Sequence, residues 1–398
     1  MRQLPIYLDY NATTPCDPRV VEAMMPYFTD AFGNAASRNH SFGWQAEEAV
    51  DLAREQVATL IGAGPEEIIF TSGATEACNL ALKGVFETYA AKGNRAGGEA
   101  GHIITSNIEH KAVLDTCKHL EKTGADITYL EVNENGFPDL SELEAAIRPT
   151  TILIALMYAN NETGTIMPIK EISAIAKKKG IIFFTDATQA VGKIRVDVNK
   201  DGIDLMSFSA HKLYGPKGVG ALYIRRKNPR VKITAQIDGG GHERGIRSGT
   251  LNVPGIVGFG KACMICMNEM EDESTRIKIL RNKLENNFLH SGEADLNGDK
   301  DQRLPNVTNI SFKYAEGDAL IRSISKNIAV SSGAACTSAT PEPSHVLRAL
   351  GLNDERAHSS IRFSLGRFTT EEEIDHVVKE VNDTLEELKK SRSFIQNV

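Results

Sequence analysis

Cysteine is scarce in this chain of 398 residues. Its six thiols are Cys16, Cys78, Cys117, Cys263, Cys266 and Cys336. So few in so long a chain exclude a disulfide framework and fit a reducing compartment. Basic charge is not in excess either. Lys and Arg total 45 against 52 Asp and Glu, a net charge of −7. A dedicated nucleic-acid binder should carry a basic face, so that class is disfavoured. Long apolar runs are missing. The longest, at 152–158 and 181–184, fall far short of a membrane span. Asp9 arrives before any apolar stretch long enough for a signal peptide. Fixed-period repeats and low-complexity tracts are absent as well. What is present is 41% hydrophobic and 24% charged residues, enough to bury a core and too apolar for disorder. At roughly 150 residues per domain, the length suggests two or three domains. A cytoplasmic enzyme is expected, with no membrane and no direct nucleic-acid partner.

Apolar positions Ala46, Ala49, Val50, Ala53, Val57, Leu60 and Ile61 recur at helical spacing and stop at Gly62. Short apolar strands are then predicted at 67–71, 102–106, 127–131, 151–158, 181–186, 204–207 and 220–225. Helical patterns at 76–89, 111–122, 140–147 and 169–179 lie between several of them. This alternation predicts an α/β fold, a mainly parallel sheet with helices on both faces. Such sheets place ligands at the carboxyl ends of their strands. From about residue 261 the pattern changes. A long helix is expected over 261–289, with Ile277, Leu280, Leu284 and Phe288 on one face. A polar loop at 291–303, strands at 308–312 and 360–364, and a final helix follow. Thr370-Glu371-Glu372-Glu373 fits a capping box. This second region reads as a smaller α+β domain.

The chemistry-bearing residues sit at predicted strand ends. Lys212, in Ser209-Ala210-His211-Lys212, precedes a Gly-rich turn. It could be a surface lysine, a phosphate ligand or a Schiff-base lysine. No Gly-x-x-x-x-Gly-Lys-Ser/Thr spacing is present, which disfavours a nucleotide switch. Asp186 ends another strand, with Gln189 one turn later. A strand-end carboxylate can cap a helix, or it can pair with the protonated ring nitrogen of pyridoxal phosphate. Together Lys212 and Asp186 favour the cofactor. Thr71-Ser72-Gly73-Ala74-Thr75-Glu76 joins a strand to a helix start and offers an anion site, or an ordinary cap. His110 follows a strand and opens a helix, a place for proton transfer or for simple structure. Asn160-Asn161 can be a turn. Arg362 can grip a substrate carboxylate or form a structural ion pair. Cys336 lies in a Ser/Gly/Ala-rich loop ahead of Pro341 and Pro343, the setting of a reactive thiol. Cys263 and Cys266 have redox-type spacing but read as helix packing, without a second pair for zinc.

These motifs resemble the cysteine desulfurases, in the housekeeping branch that supplies sulfur for iron–sulfur clusters. The resemblance runs nearly end to end. It rests on Leu8-Asp9-Tyr10-Asn11-Ala12-Thr13-Thr14, Thr71-Ser72-Gly73-Ala74-Thr75-Glu76, Glu109-His110-Lys111, Asp186-Ala187-Thr188-Gln189, Ser209-Ala210-His211-Lys212, Arg247-Ser248-Gly249-Thr250 and Ser332-Gly333-Ala334-Ala335-Cys336-Thr337. It implies the fold-type I architecture of pyridoxal-phosphate-dependent transferases. A large cofactor domain would span 15–260. A small domain would comprise 1–14 and 261–398 and carry the catalytic cysteine loop at about 330–345.

The resemblance also implies roles. Lys212 holds pyridoxal 5'-phosphate as a Schiff base, Asp186 pairs with the ring nitrogen and Gln189 bonds the ring hydroxyl. Ala74, Thr75, Ser209 and His211 hold the phosphate. Thr250 reaches the phosphate of a neighbouring subunit, implying a homodimer. His110 stacks on the ring and moves protons. Asn161 and Arg362 orient cofactor and substrate carboxylate. L-Cysteine would become L-alanine, with its sulfur left as a persulfide on Cys336. Acceptors would be an iron–sulfur scaffold protein and other thiolation pathways, such as tRNA thiolation. No built-in metal is expected, and a transient 2Fe-2S contact of Cys336 shared with the scaffold stays open. Relatives in this branch commonly carry a longer C-terminal tail for scaffold docking, whereas this sequence stops at Val398. The segment Asn94-Arg95-Ala96-Gly97-Gly98-Glu99-Ala100-Gly101 resembles a small surface insertion. Rival readings are a selenocysteine lyase or related pyridoxal β-lyase, and a non-catalytic sulfur-delivery scaffold subunit.

Overall fold

The computed structural model describes residues 5–90, 101–313, 315–332 and 342–396. A first short strand, β1 (Ile6–Tyr7), precedes helices α1 (Pro18–Met24), α2 (Pro26–Thr29) and α3 (Ser41–Leu60). Seven strands then form one sheet: β2 (Ile68–Thr71), β3 (His102–Ser106), β4 (Asp126–Leu130), β5 (Thr151–Ala155), β6 (Ile182–Asp186), β7 (Leu205–Ser209) and β8 (Gly220–Ile224). Between them lie α4 (Ala74–Tyr89), α5 (Lys111–Lys122), α6 (Leu140–Ala146) and α7 (Ile169–Lys179). The strand order is β2-β8-β7-β6-β5-β3-β4. Only β8 runs antiparallel to its neighbours, so the sheet is mainly parallel, as the alternating pattern predicts.

Strand side chains alternate between faces, and here both faces are apolar. Ile68, Phe70, Phe183, Met206, Phe208, Ala221 and Tyr223 join one core with α3 and α7. Their neighbours Ile69, Phe184, Leu205, Leu222 and Ile224 join a second core with α4 and α5. A sheet buried on both sides must read as continuous apolar runs, which is how these strands read.

The second half begins with α8 (Val253–Leu289). It starts eight positions before the expected 261 because Asn252 caps it, accepting from Gly255 N–H, and Pro254 sits in its first turn. Gly255, Gly258 and Gly260 hide this start in the sequence. Gly258 and Gly260 are needed for close packing: a Cβ at Gly258 would lie 2.5 Å from the Met24 sulfur, and one at Gly260 2.7 Å from Ala53 Cα. The helix crosses the expected domain boundary at 260/261 without a break.

Beyond α8 lie β9 (Ala294–Leu296), β10 (Val307–Phe312), α9 (Gly317–Ile324), β11 (Ile328–Ala329), β12 (Ser331–Ser332), α10 (His345–Ala349), α11 (Asp354–His358), β13 (Ser360–Ser364) and α12 (Glu371–Gln396). Strands β12-β13-β10-β9 form an antiparallel sheet, and β1 pairs with β11. Strand β9 falls inside the segment expected to be a polar loop, because its polar neighbours conceal a three-residue edge strand. Ile277, Leu280, Leu284 and Phe288 of α8 pack with Ile374, Val377 and Val381 of α12 in a third core. The capping box is formed: Glu373 N–H donates to Thr370 Oγ1 at 3.2 Å and Thr370 N–H to Glu373 Oε2 at 3.0 Å.

No helix among the described residues is long and apolar enough to cross a membrane. Cys78, Cys117, Cys263 and Cys266 are buried free thiols, and Cys16 is half-buried.

Candidate active site

The carboxyl ends of β2, β3, β5, β6 and β7 meet along one edge of the large sheet. Thr71 and Ser209 each pair with Gly220, so β8 starts where its neighbours end. Glycine is required there: a Cβ at 220 would lie 2.7 Å from Gly73 Cα and 2.7 Å from the Phe208 carbonyl. This close approach sets the Gly73 turn, at φ 154°, against the end of β7. Helix α4 begins immediately after it, with Ala77 N–H making its first bond to Gly73 C=O. The preceding amides of Ala74, Thr75 and Glu76 therefore stand ahead of the hydrogen-bonded ladder, at the positive end of a 16-residue helix.

A cavity of about 630 Å³ lies over this edge. Ala74, Thr75, His110, Asn161, Asp186, Gln189, Ser209, His211, Lys212 and Arg362 all line it. Ten expected positions from six separate segments are thus brought together. Thr250 is exposed and does not line the cavity within a single chain. Cys336 and most of its loop lie outside the described residues, as does most of the 94–101 segment.

Lys212 follows β7 in a short 3-10 turn. Its Nζ donates to the Asn11 and Ala12 carbonyls, both at 2.6 Å. Burial and the Arg362 guanidinium lower its pKa to about 8, against the pull of Asp9 and Asp186. An amine held there is partly unprotonated near neutral pH and so can act as nucleophile or base. Asp186 ends β6. Its Oδ1 accepts from Thr188 N–H at 3.0 Å and Thr188 Oγ1 at 2.5 Å, which turns the carboxylate across the strand end. Behind it, Cys78 Sγ lies 3.8 Å from Oδ2 and 3.2 Å from Ser207 Oγ.

His211 contacts Thr13 Oγ1 at 3.1 Å. Burial, then Lys212, Lys217 and Lys193, depress its pKa to about 4, so its imidazole is neutral. His110 caps α5, its Nδ1 accepting from Ala112 N–H at 3.1 Å, and its ring remains exposed toward the cavity. Asn160 is the turn former: its Oδ1 accepts from Glu162 and Thr163 N–H. That frees Asn161 to face the cavity. Arg362 forms the structural ion pair that was one of its two expected readings, and it does so at the cavity wall. It pairs with Asp9 at 2.6 Å, donates to Ser331 Oγ and to the Asn161 carbonyl, and still lines the cavity. Its buried Nε has no partner among the described residues.

Three contributors carried no assigned role in the sequence reading. Asn11 joins the N-terminal segment to the site, taking Lys212 and Gln189 on its carbonyl. Glu76, an acid at the mouth of an anion-binding helix end, is offset by Arg247 at 2.8 Å. Burial raises its pKa, but the Arg247 and Ser72 hydrogen bonds prevail and hold it below the ordinary carboxylate value. Lys193 contacts Gln189 and Asn11 from beneath. Asn11 and Arg247 do occur in the motifs quoted above, so their presence there was the available signal. Nothing marked Lys193.

Glu109 is buried beside the site. Its Oε1 accepts from Ser106 Oγ at 2.9 Å and Met157 N–H at 2.8 Å, while Oε2 is buried without a partner among the described residues. Burial drives its pKa up to about 8, with Asp186 adding to the rise and the two hydrogen bonds opposing it. The folded chain keeps this proton up to about pH 8, whereas the unfolded chain releases it near 4.5. The stability it contributes is full below about 4.5 and is lost as pH rises through 8. Glu109→Gln is expected to remove that loss, gaining a few kcal/mol over the parent at pH 9 relative to pH 5. Urea unfolding at the two pH values checks it, and an equal difference at both would refute the raised pKa.

The comparisons with known proteins agree with this geometry. The aminotransferase class-V family model matches residues 6–377. Cysteine desulfurase IscS of Pectobacterium carotovorum is 58% identical over 389 residues, covering 97% of this chain and 94% of the relative. The chain belongs to the cysteine desulfurases of the aminotransferase class-V family. Cysteine desulfurase IscS of Salmonella typhi matches to the same extent. Among solved structures, a NifS-like protein superposes with a TM-score of 0.88 at 40% identity, covering 96% of this chain and 100% of that one. SspA in complex with cysteine superposes with a TM-score of 0.79 at 38% identity, covering 92% and 99%. With these neighbours the architecture is the fold-type I arrangement of this family.

Proposed function

We propose that this protein is a pyridoxal-phosphate-dependent cysteine desulfurase that converts L-cysteine to L-alanine and passes the sulfur on as a persulfide of Cys336. The observation that carries the reading is the convergence of Lys212, Asp186 and the α4 N-terminus on one cavity. The residues fit pyridoxal phosphate. The amine of Lys212 suits its aldehyde, the Asp186 carboxylate its ring nitrogen, and Gln189 its ring hydroxyl. Ala74, Thr75, Ser209 and His211 offer donors for its phosphate at the helix end. When bound, the cofactor draws electrons away from the substrate α-carbon.

The chain's own groups do the rest. Arg362, with Asn161 beside it, binds the substrate carboxylate. Lys212, its pKa near 8, takes the α-proton. His110, exposed at the cavity wall, moves protons toward the substrate. The Cys336 thiolate attacks the substrate sulfur. An S–S bond forms and the C–S bond breaks. The electron pair of that bond remains on the substrate β-carbon, which takes up a proton, Lys212 returns the α-proton to the α-carbon, and L-alanine leaves.

The division into a large domain, 15–260, and a small one, 1–14 with 261–398, is supported by the separate seven-stranded and four-stranded sheets and by the third core, which draws on 1–14 and 261–398 alone. A homodimer is supported by exposed Val21, Met25, Phe28, Phe32, Phe42, Trp44 and Leu52, an apolar face suited to a second copy. Thr250, exposed in one chain, is then placed to serve the partner's site. An iron–sulfur scaffold protein and other sulfur acceptors in the cytoplasm complete the reading.

The test is the intact mass of the cofactor-loaded protein after brief exposure to L-cysteine. A gain of one sulfur confined to Cys336, with alanine in solution, is expected. Alanine without sulfur on Cys336 would overturn the assignment of the nucleophile.

A further inference from the structure

Lys193 sits in the turn after β6, four positions beyond Gln189. It does not line the cavity. Its Nζ donates to Gln189 Oε1 at 2.5 Å and to Asn11 Oδ1 at 3.3 Å. Among the described residues no carboxylate lies within ion-pair distance of it. Burial, Lys212 and Arg362 all push its pKa well down. An amine is costly to bury without a counter-charge, so its position calls for a compensating use.

The hydrogen-bond inventory supplies one. The Gln189 amide has two orientations of nearly identical shape. On one side it meets the Lys193 nitrogen, which donates. On the other it meets the Asn11 carbonyl, which only accepts, at 2.9 Å from Gln189 Nε2. Turning the amide over would set its oxygen against the Asn11 carbonyl, two acceptors facing each other, whatever the charge on the amine. Only one orientation satisfies both neighbours, and it leaves the second Nε2 hydrogen for the cavity that Gln189 lines. Asn11 is fixed by the same amine. Its Oδ1 also accepts from Asn306 Nδ2 at 2.9 Å, and its Nδ2 donates to the Asn161 carbonyl at 3.0 Å.

We propose that Lys193 is a positioning residue that locks Gln189 with its NH₂ group, not its carbonyl, presented to an acceptor in the cavity. Resting on the cofactor reading above, that acceptor is the ring oxygen of pyridoxal phosphate. Lys193 acts through Gln189 and touches neither cofactor nor substrate.

A double-mutant cycle tests this on the full chain, stripped of cofactor and titrated with pyridoxal phosphate. Lys193→Met and Gln189→Ala are each expected to weaken cofactor binding by about tenfold, the scale of one lost hydrogen bond to a charged acceptor. The double variant should be no weaker than the worse single variant, because both remove the same contact. The bound cofactor's absorption maximum should shift equally in both single variants. Lys193→Gln, which retains an N–H donor, should bind more tightly than Lys193→Met, and it carries the cycle if the methionine variant does not fold. Parent-like binding by Lys193→Met, or losses that multiply in the double variant, would overturn the proposal. If the parent chain itself took up no pyridoxal phosphate, the cofactor reading would fail instead, a separate result.

Discussion

Alanine at Lys212 is expected to lower cysteine turnover by roughly 10³-fold or more while leaving the protein folded. That loss is the scale of removing a nucleophile that also serves as base. Folding should survive because the amine is not a stabilising charge in its place. Its pKa falls to about 8 in the folded chain against 10.5 unfolded. Below about pH 8 the buried ammonium therefore opposes folding, and this opposition fades as pH rises toward 10.5. Stripped of cofactor, the variant should melt at or above the temperature of the equally stripped parent at neutral pH. Cys336→Ser should fail differently. It should retain the cofactor's absorption near ~420 nm, which Lys212→Ala loses, yet form no persulfide. Turnover, melting temperature and the absorption spectrum of the two variants check these statements. Substantial turnover in Lys212→Ala would remove the central residue from the proposed function.

The second large effect is on stability. Glu243 is buried and accepts from both terminal nitrogens of Arg54, at 2.8 and 2.7 Å, and from Phe70 N–H at 2.8 Å. Arg54 in turn donates to the Ile68 carbonyl at 2.9 Å and lies over the Phe70 ring. This knot ties α3 to β2, the strand that delivers Thr71 and the Gly73 turn to the site. It also holds Glu243 at φ 45°, a left-handed conformation uncommon for a side chain of this size. Glu243→Ala leaves a buried guanidinium without its counter-charge and should cost about 3–5 kcal/mol. Replacing both partners, Arg54→Met with Glu243→Met, should cost much less, since no charge is stranded. Denaturant midpoints at constant slope measure both. Equal losses in the single and double variants would show that packing, not charge, is at stake.

The large sheet was legible because its strands, apart from the edge strand β4, are buried on both faces. Continuous apolar runs such as 152–158 and 181–184 then announce themselves without neighbours. The start of α8 was not legible. Glycines disfavour a helix, yet Gly258 and Gly260 sit in this one because α1 and α3 approach it closely, and Gly255 because the Asn252 cap lies against it. Such a reason exists only once the helices have met. The edge strand β9 was hidden for a related cause: three residues carry too little periodicity to stand out from a polar segment.

The candidate site divides the same way. Lys212, Asp186, His110 and Thr75 lie at strand ends or helix starts, and local pattern alone marks those places. By itself the sequence determined the mainly parallel sheet, the motifs at its carboxyl edge and the family they resemble. Tertiary structure alone decided how Asn11 reaches Lys212, how Arg247 offsets Glu76 and why the Lys193 amine lies against Gln189. Those contacts join segments far apart in the chain or depend on burial. Hydrogen-bond direction and desolvation act through space, and residue order does not record them.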